Sequence, residues 1–258
     1  MQNNIFLTLF VGQSLVKLSS VNSTNTYLKN QLSNSTPPAE GTVIMADHQF
    51  AGRGQQGNSW DSEAGKNLTF SILFFPDFLK ISQQFLLNIA VSLGINDCLA
   101  RIIGKQCKIK WPNDIYYQEQ KLGGILIENG LSGANLKWSI VGIGLNVNQQ
   151  NFNGNNGRAS SISKILHQNY ELPELLGQLC KDIERRYLQL KAGNQELLKA
   201  EYQERLFGLN QKRYFKVANQ QVEGEILGVD NDGCLLLSQN GKLAKYALKE
   251  IAFIFDEQ

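Results

Sequence analysis

The spacing of apolar residues changes several times along the chain, and each change predicts an element. Residues 16–18 and 42–46 read as short strands, and NLTFSILFF at 67–75 is a solid β-prone run, the mark of a buried central strand that Pro76 ends. From 81 to 103 the apolar positions fall at 81, 85, 86, 89, 93, 99, 102 and 103, which is helical spacing, although Gly94 weakens its middle. Residues 107–111 and 124–128 are extended and flank a polar loop, and 136–143 is a further strand. Ser23, Thr24 and Asn25 offer N-cap groups to a helix over 26–32, and the same three polar groups at a helix N-terminus could instead face a ligand. The polar run 148–158 is a loop, and helices follow over 173–190, opened by Pro173, and 195–207.

Near Leu209 the period drops to that of short strands, at 214–217, 221–229, 234–237 and 243–248. Asn231-Asp232-Gly233 and Asn240-Gly241 mark turns between them. This predicts two domains, 1–209 and a β domain at 210–258, the second too small to hold a full core and so expected to dock on the first.

Composition narrows the function classes. The chain has 258 residues, 42% of them hydrophobic, and a net charge of +2, too balanced to argue for a nucleic-acid or membrane partner. Cys98, Cys107, Cys180 and Cys234 form no CxxC pair and there are two histidines, which argues against a disulfide framework or a zinc site; Cys98 and Cys107 read as core thiols. The apolar start has no basic region before it, so neither a signal peptide nor an anchor is expected, and a reducing, cytoplasmic setting fits.

Two stretches carry candidate chemistry. In KWPNDIYYQEQKLGGILIE, residues 110–128, Lys121 stands beside the bare backbone of Gly123 and Gly124, a place for an anion such as a phosphate, or equally a hairpin with a solvated lysine tip. In QFAGRGQQGNSW, residues 49–60, Gly52, Gly54 and Gly57 surround Arg53, whose fork can hold a carboxylate or phosphate; the loop matches neither standard phosphate fingerprint and reads as mobile until filled, or as plain surface loop. Asn146, after the strand at 136–143, can read a base edge or sugar, or cap a turn.

Those two stretches, with STN at 23–25 and VGIGLNVN at 141–148, resemble the biotin protein ligases in order and mutual spacing, from about residue 17 to the C-terminus. The resemblance implies an α/β catalytic domain on a mixed sheet, related to class II aminoacyl-tRNA synthetases, with a small SH3-like β-barrel at the C-terminus. It implies ATP-dependent activation of biotin to biotinyl-5′-AMP, with Mg2+ assisting, and transfer to a lysine of a carboxylase's biotin carboxyl carrier domain. On this sequence the catalytic set would be Arg53, Lys121 and Asp114, with Asp114 near the metal and the attacking amine. Biotin would lie among Ser23, Thr24, Asn25, Gln49, Gly52, Arg53, Gly124 and Leu126. The adenylate would lie among Arg53, Gly54, Trp60, Asn113, Lys121 and Asn146, while Trp111 would mainly pack.

Two departures bear on this. Some relatives carry GRGRRG where this chain has Gln55 and Gln56, leaving less positive charge to retain the adenylate. Relatives that double as repressors carry an N-terminal helix-turn-helix; here the motifs start near the N-terminus, so a ligase alone is expected. Many relatives dimerise through the sheet, and the resemblance leaves monomer and homodimer both open. Lipoate or octanoate attachment is the competing enzyme reading, and a carrier-binding protein without chemistry the non-enzyme one.

Overall fold

The computed structural model describes residues 7–152 and 158–255, without the side chain of Gln56. Part of the expected 148–158 loop and the first residues of the apolar start therefore lie outside the described residues.

Seven strands form one sheet in the order β1-β2-β3-β7-β6-β5-β4. They are β1 Leu15–Val21, β2 Val43–Gln49, β3 Leu68–Phe74, β4 Cys107–Lys110, β5 Asp114–Tyr117, β6 Gln120–Ser132 and β7 Asn135–Leu145. β1 and β2 run parallel and every other neighbour pair is antiparallel, so the sheet is mixed, as the α/β expectation required. β3 is buried at all seven positions and sits inside the sheet, where its unbroken apolar run has two covered faces to fill.

One face is covered by α2 (Gln84–Ile103) and α4 (Leu172–Lys191). Gly94 does not weaken α2: a Cβ there would stand 2.6 Å from Ile183 Cα, so the glycine lets the two helices approach backbone to backbone. Among the described residues, Ile81–Ile103 is the one helical stretch long and apolar enough to cross a membrane, and 78% of its apolar window is buried inside the fold. Burial pushes the Cys98 and Cys107 thiols up to about 12, in keeping with core thiols. Asp97 on α2 gathers Arg185 and Arg186 of α4 and Arg205, which follows α5 (Gln195–Glu204).

The other face is covered only in part. The short helix α1 (Thr24–Gln31) packs Leu28 over Ile44, Leu73 and Ile140. Beyond it the sheet presents Gly142, Gly144 and Gly124, neighbours across β7 and β6, and this bare patch is where the site lies.

Two sequence expectations change here. The stretch 107–128 is not a single hairpin with Lys121 at its tip: β5 intervenes, and Lys121 is the second residue of β6 in a three-stranded meander. β5 escaped notice because DIYY is only four residues with its middle pair buried, so it shows no alternation. The C-terminal strands β8 (Lys212–Val217), β9 (Gln220–Val229), β10 (Leu235–Gln239), β11 (Lys242–Tyr246) and β12 (Ile251–Ile254) form a five-stranded antiparallel sheet in the order β11-β10-β9-β8-β12. It is open, not the closed barrel expected. Its apolar side chains, Phe215, Ile226, Leu235 and Leu237, join the main core, so its inner face is buried without closing on itself. A fifth helix, α3 (Ile162–Leu166), was also unforeseen.

Candidate active site

A cavity of about 350 Å3 opens on the glycine patch. Gly142 has no Cβ because Asn25 fills that space, and Gly144 has none because the Trp60 indole lies on it. At Gly124 a Cβ would meet Asp114 Oδ1 at 3.2 Å and Lys121 Nζ at 3.6 Å. Small residues at these points let polar and aromatic side chains lie flat on a sheet surface.

One end of the cavity is uncharged and polar. Ser23, the N-cap of α1, makes no side-chain cap bond, and the polar groups that follow it turn inward instead of capping. The Thr24 N–H donates to Gln49 Oε1 at 2.7 Å and Thr24 Oγ1 donates to the same oxygen at 3.1 Å. Ser71 Oγ of β3 lies 2.7 Å from Thr24 Oγ1 and 2.6 Å from Asn25 Oδ1. The Asn25 amide donates to Glu128 Oε2 at 2.8 Å. Ser23, Thr24, Asn25 and Ser71 are buried, Gln49 and Glu128 half-buried, and the hydrogen bonds among them restrict their rotamers.

Arg53 forks onto Glu128, Nη2 to Oε2 at 2.7 Å and Nη1 to Oε1 at 3.4 Å. Its loop is closed by backbone bonds from Gly54 N–H to Asn58 O and from Trp60 N–H to Gly52 O. Trp60 Nε1 is buried and has no hydrogen-bond partner among the described residues, a donor available to a ligand.

The charged end is built on the meander. Asp114 Oδ1 accepts Lys121 Nζ at 2.6 Å, and Lys110 Nζ stands 3.9 Å from Asp114 Oδ2. Lys110 and Asp114 face each other across β4 and β5. The Lys110 ammonium also lies over the rings of Phe253 (4.4 Å), Tyr116 (5.3 Å) and Phe255 (5.8 Å). Burial pulls its pKa below the usual lysine value; Asp114 opposes that and Lys121 adds to it. Burial, and next the Asp114 charge, pushes the Tyr116 phenol up.

Of the residues singled out in the sequence, Ser23, Thr24, Asn25, Gln49, Arg53, Gly54, Trp60, Asn113, Asp114, Lys121, Gly124 and Leu126 line this one cavity. Gly52 and Asn146 do not. Gly52 lies against the Trp60 carbonyl, and Asn146 is buried with its backbone bonded to Leu122 and Ile162. Trp111 packs as expected and donates from Nε1 to Gly233 O at 2.8 Å. Sequence reasoning missed Ser71, Glu128 and Lys110, and the wall formed by Leu248, Ile251, Ala252 and Phe253 of the C-terminal sheet. Lys110 and Glu128 both lay within a quoted motif; the C-terminal wall has no local sequence signal.

The donor set does not make a resident magnesium site. Among the described residues no group of three or more His, Cys, Asp or Glu could hold a metal. Among the described residues Asp114 is the only carboxylate lining the cavity, and two lysines already offset it.

The family model for the biotin/lipoate A/B protein ligase family matches residues 18–146, which is 129 of 258 residues and holds most of the cavity's lining. The chain belongs to this family. It is 29% identical over 241 residues to the bifunctional ligase/repressor BirA of Bacillus subtilis (strain 168), covering 92% of this chain and 73% of that protein. It is 27% identical over 210 residues to the biotin–[acetyl-CoA-carboxylase] ligase of Mycobacterium tuberculosis (strain ATCC 25618 / H37Rv), covering 79% of this chain and 75% of that one. Among solved structures it resembles the biotin protein ligase of Aquifex aeolicus in complex with biotin and ATP, at a TM-score of 0.78 and 27% identity over 95% of this chain and 100% of that chain. The fold of that solved ligase matches this chain over 95% of its length.

Proposed function

We propose that this chain activates biotin with ATP and transfers it to a lysine of a biotin carboxyl carrier domain. The observation that carries the reading is one cavity holding a neutral polar cluster, the buried Ser23, Thr24 and Asn25 with the half-buried Gln49, together with Arg53, Asp114 and Lys121. The neutral cluster suits a compact polar ring; a lipoyl or octanoyl chain would need apolar walls there. The names of the two relatives above and the biotin–ATP complex of the Aquifex aeolicus enzyme support the same choice.

In the first step a carboxylate oxygen of biotin attacks the α-phosphorus. The bond to the β-phosphate oxygen breaks, and pyrophosphate leaves with the electron pair. Negative charge grows on the α-phosphoryl oxygens, and Lys121, held over Gly124, offsets it from a fixed position. Arg53 leaves Glu128 and forks onto the carboxylate and phosphate of the acyl adenylate, closing its loop over a bond that water would otherwise hydrolyse. In the second step the deprotonated amine of the carrier lysine attacks the acyl carbon; the C–N bond forms, the C–O bond to phosphate breaks, AMP leaves with the electron pair, and the surplus proton on nitrogen passes to solvent. Asp114 lies where it can hold that amine as it approaches. On this reading residues 1–209 are the catalytic domain, and the β unit at 210–258 supplies one wall of its cavity.

The test is transfer of labelled biotin to a purified carrier domain with ATP and magnesium, run beside lipoic and octanoic acids. ATP-dependent labelling with biotin alone is expected. Labelling with lipoate or octanoate in its place would overturn the substrate assignment.

A further inference from the structure

The cavity holds three cations, and they are not equivalent. Arg53 is engaged by Glu128, and Lys121 by Asp114 at 2.6 Å. Lys110 has no acceptor within hydrogen-bond distance among the described residues: its nearest carboxylate oxygen is 3.9 Å away, and its other neighbours are aromatic rings. Its side chain is 12% exposed, and it lines the cavity. An ammonium carries three donors, and here they open onto the cavity with the Asp114 carboxylate too far away to accept one. The rings favour the cation but accept no conventional hydrogen bond. The arrangement asks for an anion.

The order of strands says which anion. From the polar cluster on α1, β2 and β3, the cavity floor crosses β7 to β6, where Lys121 stands, then β5 with Asp114, and ends at β4 with Lys110. At about 4.8 Å per strand, β4 lies roughly 10 Å beyond β6, on the side away from that cluster. A ligand laid across the floor with its ring in the cluster and its α-phosphate at Lys121 carries its remaining phosphates toward Lys110. Lys121 and Lys110 flank the two oxygens of one carboxylate, close enough for one polyphosphate chain to reach both.

We propose that Lys110 binds the pyrophosphate portion of the nucleoside triphosphate, the part that leaves in the first step. The inference rests on the reading that this cavity forms an acyl adenylate. Lys110 then serves activation and not transfer, because the acyl adenylate carries no pyrophosphate. Phe253 and Phe255, brought by the C-terminal sheet, hold the ammonium at its station, which gives that sheet a part in nucleotide binding.

The test separates the two half-reactions in the full-length chain. Biotin-dependent exchange of labelled pyrophosphate into ATP reports the first; transfer to a carrier domain from supplied biotinyl-5′-AMP reports the second. For Lys110→Met the KM values for ATP and pyrophosphate are expected to rise about ten- to a hundredfold, the weight of a hydrogen bond to a charged group. Transfer is expected to change by less than about threefold, and Lys110→Arg to restore most of the exchange. Equal loss in both half-reactions, or a loss that Lys110→Arg does not relieve, assigns Lys110 to packing and overturns the proposal. Unimpaired exchange in Lys110→Met overturns it too. Wild-type protein inactive in both half-reactions removes the adenylate reading itself, a failure distinct from that of the variant.

Discussion

Arg53 and Glu128 form a two-pronged ion pair, 2.7 Å at its shorter contact, between the glycine loop and β6. Glu128 is held in turn by the Asn25 amide. An internal carboxylate thus occupies the guanidinium that the proposed reaction uses. Arg53 is 44% exposed, so solvent screens the pair and its worth is about 0.2–1 kcal/mol. Glu128→Gln keeps an acceptor for Asn25 and removes the charge. Trypsin should then cleave after Arg53 about two- to fivefold faster in the ligand-free protein, read by mass spectrometry of the fragments.

The same arginine should govern retention of the intermediate. With glutamines at 55 and 56, the loop 49–60 has one cation, Arg53, to offer a proposed adenylate. Arg53→Ala should release biotinyl-5′-AMP into solution faster than wild type, measured by chromatography of a single-turnover mixture. Unchanged release would remove Arg53 from this role.

On the proposed mechanism Lys121 faces the phosphoryl group where charge develops, across a glycine that leaves room for it. Lys121→Ala should lower the rate of biotin-dependent pyrophosphate formation by about two to three decades, or roughly 3–4 kcal/mol of barrier, with the melting temperature nearly unchanged.

Gly144 carries the Trp60 indole against its Cα. Gly144→Ala places a methyl inside that ring, so the ring must move, at a cost of about 1–3 kcal/mol in stability. Denaturant unfolding measures the loss. The tryptophan emission should shift as well, and the shift should disappear when Trp60→Phe is added.

Asp97 tests the scaffold and not the site. Burial works to raise its carboxyl pKa, but hydrogen bonds from Arg186 and Arg205 and their charges outweigh it and hold the pKa below the usual value. At Glu201 the Arg186 hydrogen bond, the largest influence, acts in the same direction. Groups depressed in the folded state bind fewer protons there than in the unfolded chain. Their stabilisation is complete above the unfolded pKa of about 4 and is lost as pH falls through the lower folded value. Asp97→Asn removes one of the two carboxylates that pair with the buried Arg186, leaving Glu201, and should cost about 1–3 kcal/mol at pH 7, the difference from wild type narrowing toward pH 3 in thermal melts.

Much of the scaffold was legible because its signals are local. NLTFSILFF at 67–75 needed no tertiary knowledge to read as a central strand, and Asn240-Gly241 takes the paired positive φ values its turn requires. Gly94 misled because its use, backbone contact with Ile183, lies 89 positions away in the chain. The site divides in the same way. Arg53, Lys121 and Asp114 sit in distinctive motifs and come together in one cavity. Lys110 stood in the same motif, but its meaning depends on Phe253 and Phe255, which only the docking of the second sheet brings to it. Glu128 was hidden likewise, since its partners come from α1 and the glycine loop.

The central claim is that Arg53 and Lys121 act on one phosphate. Along β6, Lys121 and Glu128 are seven residues apart, about 20 Å at the usual strand rise, so Arg53 must leave its present partner to meet Lys121. A crystal structure with a non-hydrolysable biotinyl-adenylate analogue measures this directly. The account expects the Arg53–Glu128 pair broken and both Arg53 and Lys121 about 3 Å from oxygens of the same phosphoryl group. Arg53 still on Glu128, with Lys121 alone at the phosphate, would contradict it.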